Sequence, residues 1–328
     1  MKLLVTGGAG YVGSVVAAQL VEAGHEVTVL DDLSRGWRDA VPDGVARYVS
    51  GNVATTVEDV LADGGYEAVL HFAARSLVRE SVADPQAYWE DNVGGMLALL
   101  AAMREHAVPR LVVSSTAAVY GEPDTAPISE DAPCRPTNPY GASKLAIDHA
   151  VAGYARAYGL AAISLRYFNV AGAYRRYGER HDPETHLIPI VLQAAAGQRA
   201  AVTVYGTDHP TPDGTCVRDY IHVADLAHAH VLALDALTSE KGTWRAYNLG
   251  NGDGFSVRQV IETAERVTGR QIPVREGNRR PGDPAVLVAS SARARAELGW
   301  TPKRASLAEI IADAWAFLRT GSASGGPG

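Results

Sequence analysis

Cysteine is scarce in this chain: 2 among 328 residues, Cys134 and Cys216, far apart. Two such thiols give no disulfide framework, which excludes a small stapled scaffold and makes a reducing cytoplasm the simple expectation. Long apolar runs are missing too, and none approaches the roughly 20 residues of a membrane-spanning helix. Positive charge is not in excess. With 30 Lys and Arg against 37 Asp and Glu the net charge is -7 and the pI is near 5.8, which argues against nucleic acid as the main partner. No internal repeat marks a solenoid or propeller. A signal peptide is not expected, because the residues after Met1 already read as a strand. What is there, 47% hydrophobic and 20% charged residues, suits a globular enzyme-sized chain. It is long enough for one large or two moderate domains and for a sizeable core without staples.

The first thirty residues carry the most information. Lys2-Leu3-Leu4-Val5-Thr6 reads as a short buried parallel strand. Gly7-Gly8-Ala9-Gly10-Tyr11-Val12-Gly13 follows, a G-x-x-G-x-x-G pattern, and Ser14 to Ala23 then reads as a helix. Glycines let the backbone turn tightly and approach a pyrophosphate, while the helix start offers free N–H groups and a positive dipole end. A second strand, Glu26 to Leu30, ends in Asp31-Asp32. An acid about 20 residues past the glycines can bind an adenosine ribose diol and would repel a 2'-phosphate, so NAD is expected rather than NADP. Arg35 is the feature against this; it is read as a loop arginine in solvent.

Strand and helix keep alternating. After the strand Arg47-Tyr48-Val49, Asn52 beside Val53 can contact an adenine or can simply close the turn. The run Tyr66 to Phe72 is closed by Ala73-Ala74, small residues that let the chain pass near a cofactor. His71 within it is read as a packed strand residue. Asp91-Asn92-Val93 opens a helix over 94–105, and the strand Leu111 to Ser115 leads to Thr116. Such alternation predicts an α/β fold with a Rossmann-type doubly wound parallel sheet. Ligands of such sheets sit at the carboxyl ends of the strands, where Gly7 to Gly13, Asp31, Phe72 to Ala74 and Thr116 all fall.

Tyr140-Gly141-Ala142-Ser143-Lys144 places a phenol and an ammonium four residues apart, one turn apart on a helix face. The ammonium is expected to favour the phenolate and to lower the Tyr140 pKa from about 10, giving a base for an alcohol proton. Thr116 can hold the reacting oxygen beside it. The motif by itself also suits an amphipathic surface helix; the glycine–acid framework is what favours the chemical reading. No metal site is expected.

Together T-G-G-x-G-Y-x-G-S, D-D-L-S, H-F-A-A, S-S-T-A-A-V-Y-G, Y-G-x-S-K and L-R-Y-F-N-V-x-G resemble the extended short-chain dehydrogenase/reductases, and among them the UDP-glucose 4-epimerases. The likeness runs from Met1 to about Leu318; the Gly/Ser-rich tail 319–328 is expected to be disordered. It implies an NAD-binding domain from 1–168 plus 221–248, and a smaller α/β nucleotide-sugar domain from 169–220 plus 249–318. A tightly bound NAD would be held by the Gly7–Gly13 loop, Asp31, Asp32, Asn52, Val53, Phe72 to Ala74, Asn92, Tyr140, Lys144 and Tyr167. A UDP-sugar would meet Thr116 and Tyr140 at its sugar, with Asn169, His186 and the Leu187 backbone nearby. Arg218 and Arg280 would converge on the diphosphate, for which a guanidinium fork is suited. Tyr205 would stack on uracil, or else only pack its strand, and Asp283 would bind the uridine ribose. The resemblance also implies a homodimer and no membrane partner. Leu287 stands where family members differ in size, so acceptance of N-acetylated sugars stays open.

Competing activities differ at named positions. A nucleotide-sugar 4,6-dehydratase of this kind carries an Asp-Glu pair after the active-site threonine; here Ala117-Ala118 follow. A UDP-glucuronate decarboxylase remains open. An NAD-sensing regulator on the same fold would lack the tyrosine or lysine, and both are present.

Overall fold

The computed structural model describes residues 1–237, 240–280 and 283–323. Its centre is a sheet of β1 (Lys2–Thr6), β2 (Glu26–Asp31), β3 (Arg47–Ser50), β4 (Ala68–His71), β5 (Arg110–Thr116), β6 (Ala161–Tyr167) and the strand Trp244–Leu249. The order is Trp244–Leu249, β6, β5, β4, β1, β2, β3, and every pairing is parallel. The strands read as nearly unbroken apolar runs because both faces are covered. Leu3 and Val5 face a core shared with Val15, Val16 and Leu20 of the helix Tyr11–Glu22 and with Leu226 and Leu234 of the helix Val223–Ala236. Leu4 faces the other core, with Val57, Leu61, Met96, Leu99, Ile147 and Val151. The order of connection reverses at β1: the chain goes out to β2 and β3 on one side and returns to β4 on the other, which opens a crevice at the carboxyl ends of β1 and β4.

A third core lies outside this sheet. Ile188, Val191 and Leu192 of the helix Leu187–Ala195 meet Val204, Val260, Ile261 and Ile310 there. The strand Val202–Tyr205 pairs in parallel with Val274–Gly277. Ser256 starts the helix Val257–Thr268 with a reciprocal cap: its hydroxyl accepts from Gln259 N at 3.1 Å, and Gln259 Oε1 accepts from Ser256 N at 2.8 Å. The short strands Asn169–Ala171 and Tyr220–His222 pair where the chain passes between the sheet and this core.

Several boundaries differ from the sequence reading: the first helix begins at Tyr11 rather than Ser14, and the run expected over Tyr66 to Phe72 is a strand only over Ala68–His71. β6 runs to Tyr167 because β5 and Trp244–Leu249 pair with it to its end. The last helix, Leu307–Ala323, runs past Arg319, where a disordered tail was expected; a helix already packed extends at one hydrogen bond per added residue. Residues 324–328 of that tail lie outside the described residues. Among the described residues no helix is long and apolar enough to cross a membrane.

Candidate active site

The glycine loop is shaped by close approach. Gly7 has φ +73°, and a Cβ there would strike the Phe72–Ala73 backbone; one on Gly13 would strike the Gly7 carbonyl oxygen. The loop is thereby pressed between the ends of β1 and β4. Gly10 starts the helix Tyr11–Glu22 with no side-chain cap, so no side chain occupies the N–H end formed by Tyr11, Val12 and Gly13. The Tyr11 hydroxyl donates to Gly172 O at 2.7 Å, tying this loop to the far segment.

At the end of β2 the Asp31 carboxylate accepts from Ala9 N at 2.9 Å and from Leu33 N at 2.8 Å. Burial pushes its pKa up despite these bonds. Asp32 is also partly buried, but the Ser34 and Asn52 hydrogen bonds outweigh this and lower it. Asn52 donates to Asp32 at 3.2 Å, and its Oδ1 caps the helix Val53–Ala62 by accepting from Ala54 N at 2.9 Å; it closes the turn. Arg35 is an exposed residue of the loop after β2, as expected; from there it pairs with Glu80 at 2.8 Å and donates to Asp182 O at 3.0 Å. An uncapped helix start, a cradle any side chain would fill and a paired acid on the next strand fit a diphosphate and a ribose diol.

Farther along the same edge, Phe72 packs on His230 with ring centroids 4.8 Å apart. Asn92 is buried within the π-turn Trp89–Gly94. Its Oδ1 accepts from Arg75 N at 2.7 Å, and its Nδ2 donates to Arg75 O and to Ser143 Oγ, each at 3.1 Å. Asn92 thus ties that loop to the helix bearing Tyr140 and Lys144. The Tyr167 hydroxyl bonds Ser114 Oγ, and burial raises its pKa.

Tyr140 sits in the first turn of the helix Pro139–Tyr158, started by Asn138, which accepts from Gly141 N at 2.9 Å. Thr116 ends β5; its Oγ1 accepts from Ala118 N at 3.1 Å, and its hydroxyl lies near enough to the Tyr140 phenol to favour the phenolate. Lys144 is 2% exposed and donates to Ser114 O at 2.9 Å. The three expected side chains are therefore together. The expected lowering of the Tyr140 pKa is not found in the chain by itself: burial raises it, and the opposing Thr116 hydroxyl is the weaker influence. Burial likewise lowers Lys144 to about 8, against the pull of Asp148. At both groups desolvation is the dominant influence.

On the substrate side Tyr205, Arg218, Arg280 and Asp283 gather, but in pairs. Arg218 is ion-paired with Asp283 and donates to Val217 O at 2.8 Å. The Arg280 guanidinium lies 3.7 Å from the Tyr205 ring centroid. Each of the two arginines expected at the diphosphate thus has a partner within the chain. Pro281 and Gly282 of that loop lie outside the described residues. Asn169 donates to Asp219 O at 3.2 Å. His186 immediately precedes the helix Leu187–Ala195; burial opposes its charge, yet Glu179 and Glu184 raise its pKa to about 10. Leu287, paired with Arg218, packs on the Val119, Tyr120 and Ile128 cluster just beyond Thr116.

Residues 3–250 match the model of the NAD dependent epimerase/dehydratase family. The chain belongs to this family. The UDP-glucose 4-epimerase of Corynebacterium glutamicum is 61% identical over 317 residues, 97% of this chain and 95% of that protein. That of Streptomyces lividans is 59% identical, over 96% of this chain and 95% of that one. The crystal structure of UDP-glucose 4-epimerase from Brucella ovis in complex with NAD superposes with a TM-score of 0.92 at 45% identity, covering 96% and 98% of the two chains.

Within this NAD dependent epimerase/dehydratase chain, two groupings escaped the sequence reading. Asp148, one turn beyond Lys144, pairs with buried Arg166 at 2.8 Å, and Arg166 donates to the Tyr120 hydroxyl at 3.0 Å. Only the pairing of β5 with β6 brings these positions together, so no local signal exists. Glu179, His181, Glu184 and His186 also converge; here the repeated Glu-x-His spacing was a signal available in the sequence.

Proposed function

We propose that this chain catalyses reversible, NAD-dependent 4-epimerisation of UDP-glucose and UDP-galactose through a transient 4-keto sugar. The observation that carries this is the meeting of Thr116, Tyr140 and Lys144 at the carboxyl end of β5, on the edge that bears the glycine cradle. NAD, when bound, supplies a hydride acceptor and donor at C4 and a positive charge on its nicotinamide ring. Gly7, Gly10, Tyr11, Val12 and Gly13 hold its diphosphate, Asp31 and Asp32 its adenosine ribose, and Phe72, Ala73, Ala74 and Tyr167 line its path across the strand ends. Tyr140 takes the proton of the 4-hydroxyl and returns it; Thr116 holds that oxygen; Lys144 keeps a cation beside the site.

Arg218, Arg280, Tyr205, Asp283, Asn169, His186 and the Leu187 backbone hold the nucleotide. In this reading Arg218 and Arg280 exchange their partners within the chain for the diphosphate. That binding energy lies remote from the reacting carbon and keeps the keto sugar in place while it turns. Ala117 and Ala118 offer no acid for dehydration. The chain divides into an NAD part (1–168, 221–248) and a sugar-nucleotide part (169–220, 249–318). We also read it as a homodimer, as the family resemblance implies.

The test is to incubate purified protein with UDP-galactose and no added NAD, then analyse the sugars. Conversion to UDP-glucose is expected, and Tyr140→Phe should lower it by roughly 10²–10⁴-fold while retaining NAD. No conversion by the unaltered protein, even with NAD supplied, would remove the substrate assignment; full turnover by Tyr140→Phe would remove the base.

A further inference from the structure

We propose that Glu179, His181, Glu184 and His186 form a binding site for one divalent transition-metal ion of the zinc type. One ligand atom from each lies within 4.8 Å of the others. His181 Nδ1 and His186 Nδ1 converge on the same oxygen, Glu179 Oε1, at 2.8 and 2.7 Å, and His186 Nδ1 is 2.9 Å from Glu184 Oε1. A second observation is independent of this clustering. Glu179 Oε2 is buried with no hydrogen-bond partner, on a side chain only 7% exposed. A bare carboxylate oxygen in such a place is costly, and a cation beside it removes the cost.

The donor set selects the ion. Two imidazole nitrogens and two carboxylate oxygens suit Zn²⁺ and its neighbours, whereas Mg²⁺ and Ca²⁺ prefer all-oxygen shells. The two carboxylates carry the charge that a divalent ion balances. Four protein ligands close a tetrahedral shell, so the ion is structural; it takes Nδ1 of His186 and leaves Nε2 of that ring to the nucleotide.

Its place in the fold gives it a task. The ligands fall between the hairpin strand Tyr177–Gly178 and the helix Leu187–Ala195. Flanking residues fasten this stretch to the loop after β2: Arg180 pairs with Asp39 at 2.6 Å, Arg35 donates to Asp182 O at 3.0 Å, and Trp37 Nε1 donates to Arg180 O at 3.2 Å. The ion would lock this strap between the dinucleotide loop and the Leu187 helix. The inference needs nothing of the catalytic reading.

The experiment is a titration of the chelator-treated, NAD-containing protein with Co²⁺. One equivalent should bind with the visible d–d bands of a tetrahedral nitrogen–oxygen site; equimolar Zn²⁺ should displace it and raise the Tm. His181→Ala and, separately, Glu179→Gln should lose the bands while the far-ultraviolet circular dichroism is unchanged. Absence of the bands and of any zinc-dependent rise in Tm in the unaltered protein would overturn the site, and would do so even if a variant failed to fold. Bands of full strength in both variants would overturn it equally, by placing the ion elsewhere.

Discussion

His71 is a buried imidazole on β4, hydrogen-bonded through Nδ1 to Thr6 Oγ1 at 2.8 Å, with Nε2 unpartnered. Burial, aided by the Lys144 charge, lowers its pKa to about 3. The unfolded chain takes up a proton here near pH 6.5, whereas the folded chain stays neutral until about pH 3. The stabilisation from a neutral His71 is therefore complete above pH 6.5 and is lost as pH falls through that window. His71→Asn should flatten the pH dependence of unfolding free energy between pH 6 and 5 by nearly one proton, or about 1.4 kcal/mol per pH unit at most. Denaturant unfolding at stepped pH measures this, and an unchanged slope would contradict it. At this scale the sequence disclosed identities better than ionisation. His71 was legible as a packed strand residue and the Tyr140–Lys144 pair as neighbours, but the direction of the Tyr140 shift depends on burial, which spacing does not contain.

The strand–loop–helix of 2–22 is the element on which NAD retention rests. Its reading from sequence succeeded because its determinants are local: an apolar strand, glycines where the backbone needs them, then an apolar helix face. Gly13→Ala tests the close approach, since a Cβ there meets the Gly7 carbonyl oxygen. The variant should copurify with little NAD and melt at a lower temperature, as read from nicotinamide absorbance after release and from thermal unfolding. Stoichiometric NAD with an unaltered Tm would show that the contact is not limiting. Elements whose determinants are distant were less legible. The strand Trp244–Leu249 owes its place to β6, some eighty positions earlier, as Trp244 pairs with Ala162.

Across the whole molecule, the two sides of the proposed site were read unequally. The dinucleotide side follows the order of the strands, while the proposed sugar-nucleotide side draws on segments near positions 169, 186, 205, 218 and 283, which no local pattern links. The resemblance supplied those residues, and the structure adds that Arg218 and Arg280 rest on Asp283 and the Tyr205 ring. For the assembly as a whole, light scattering should give twice the 34.6 kDa chain mass; a monomer mass would refute the homodimer. The central claim is that the hydrogen at C4 leaves the sugar and returns to it within one site, with Tyr140 handling only the hydroxyl proton. Its most direct test is conversion of UDP-galactose deuterated at C4 in ordinary water, with the product examined by NMR. UDP-glucose that keeps its deuterium at C4 is the predicted result; UDP-glucose bearing solvent hydrogen there would contradict the account.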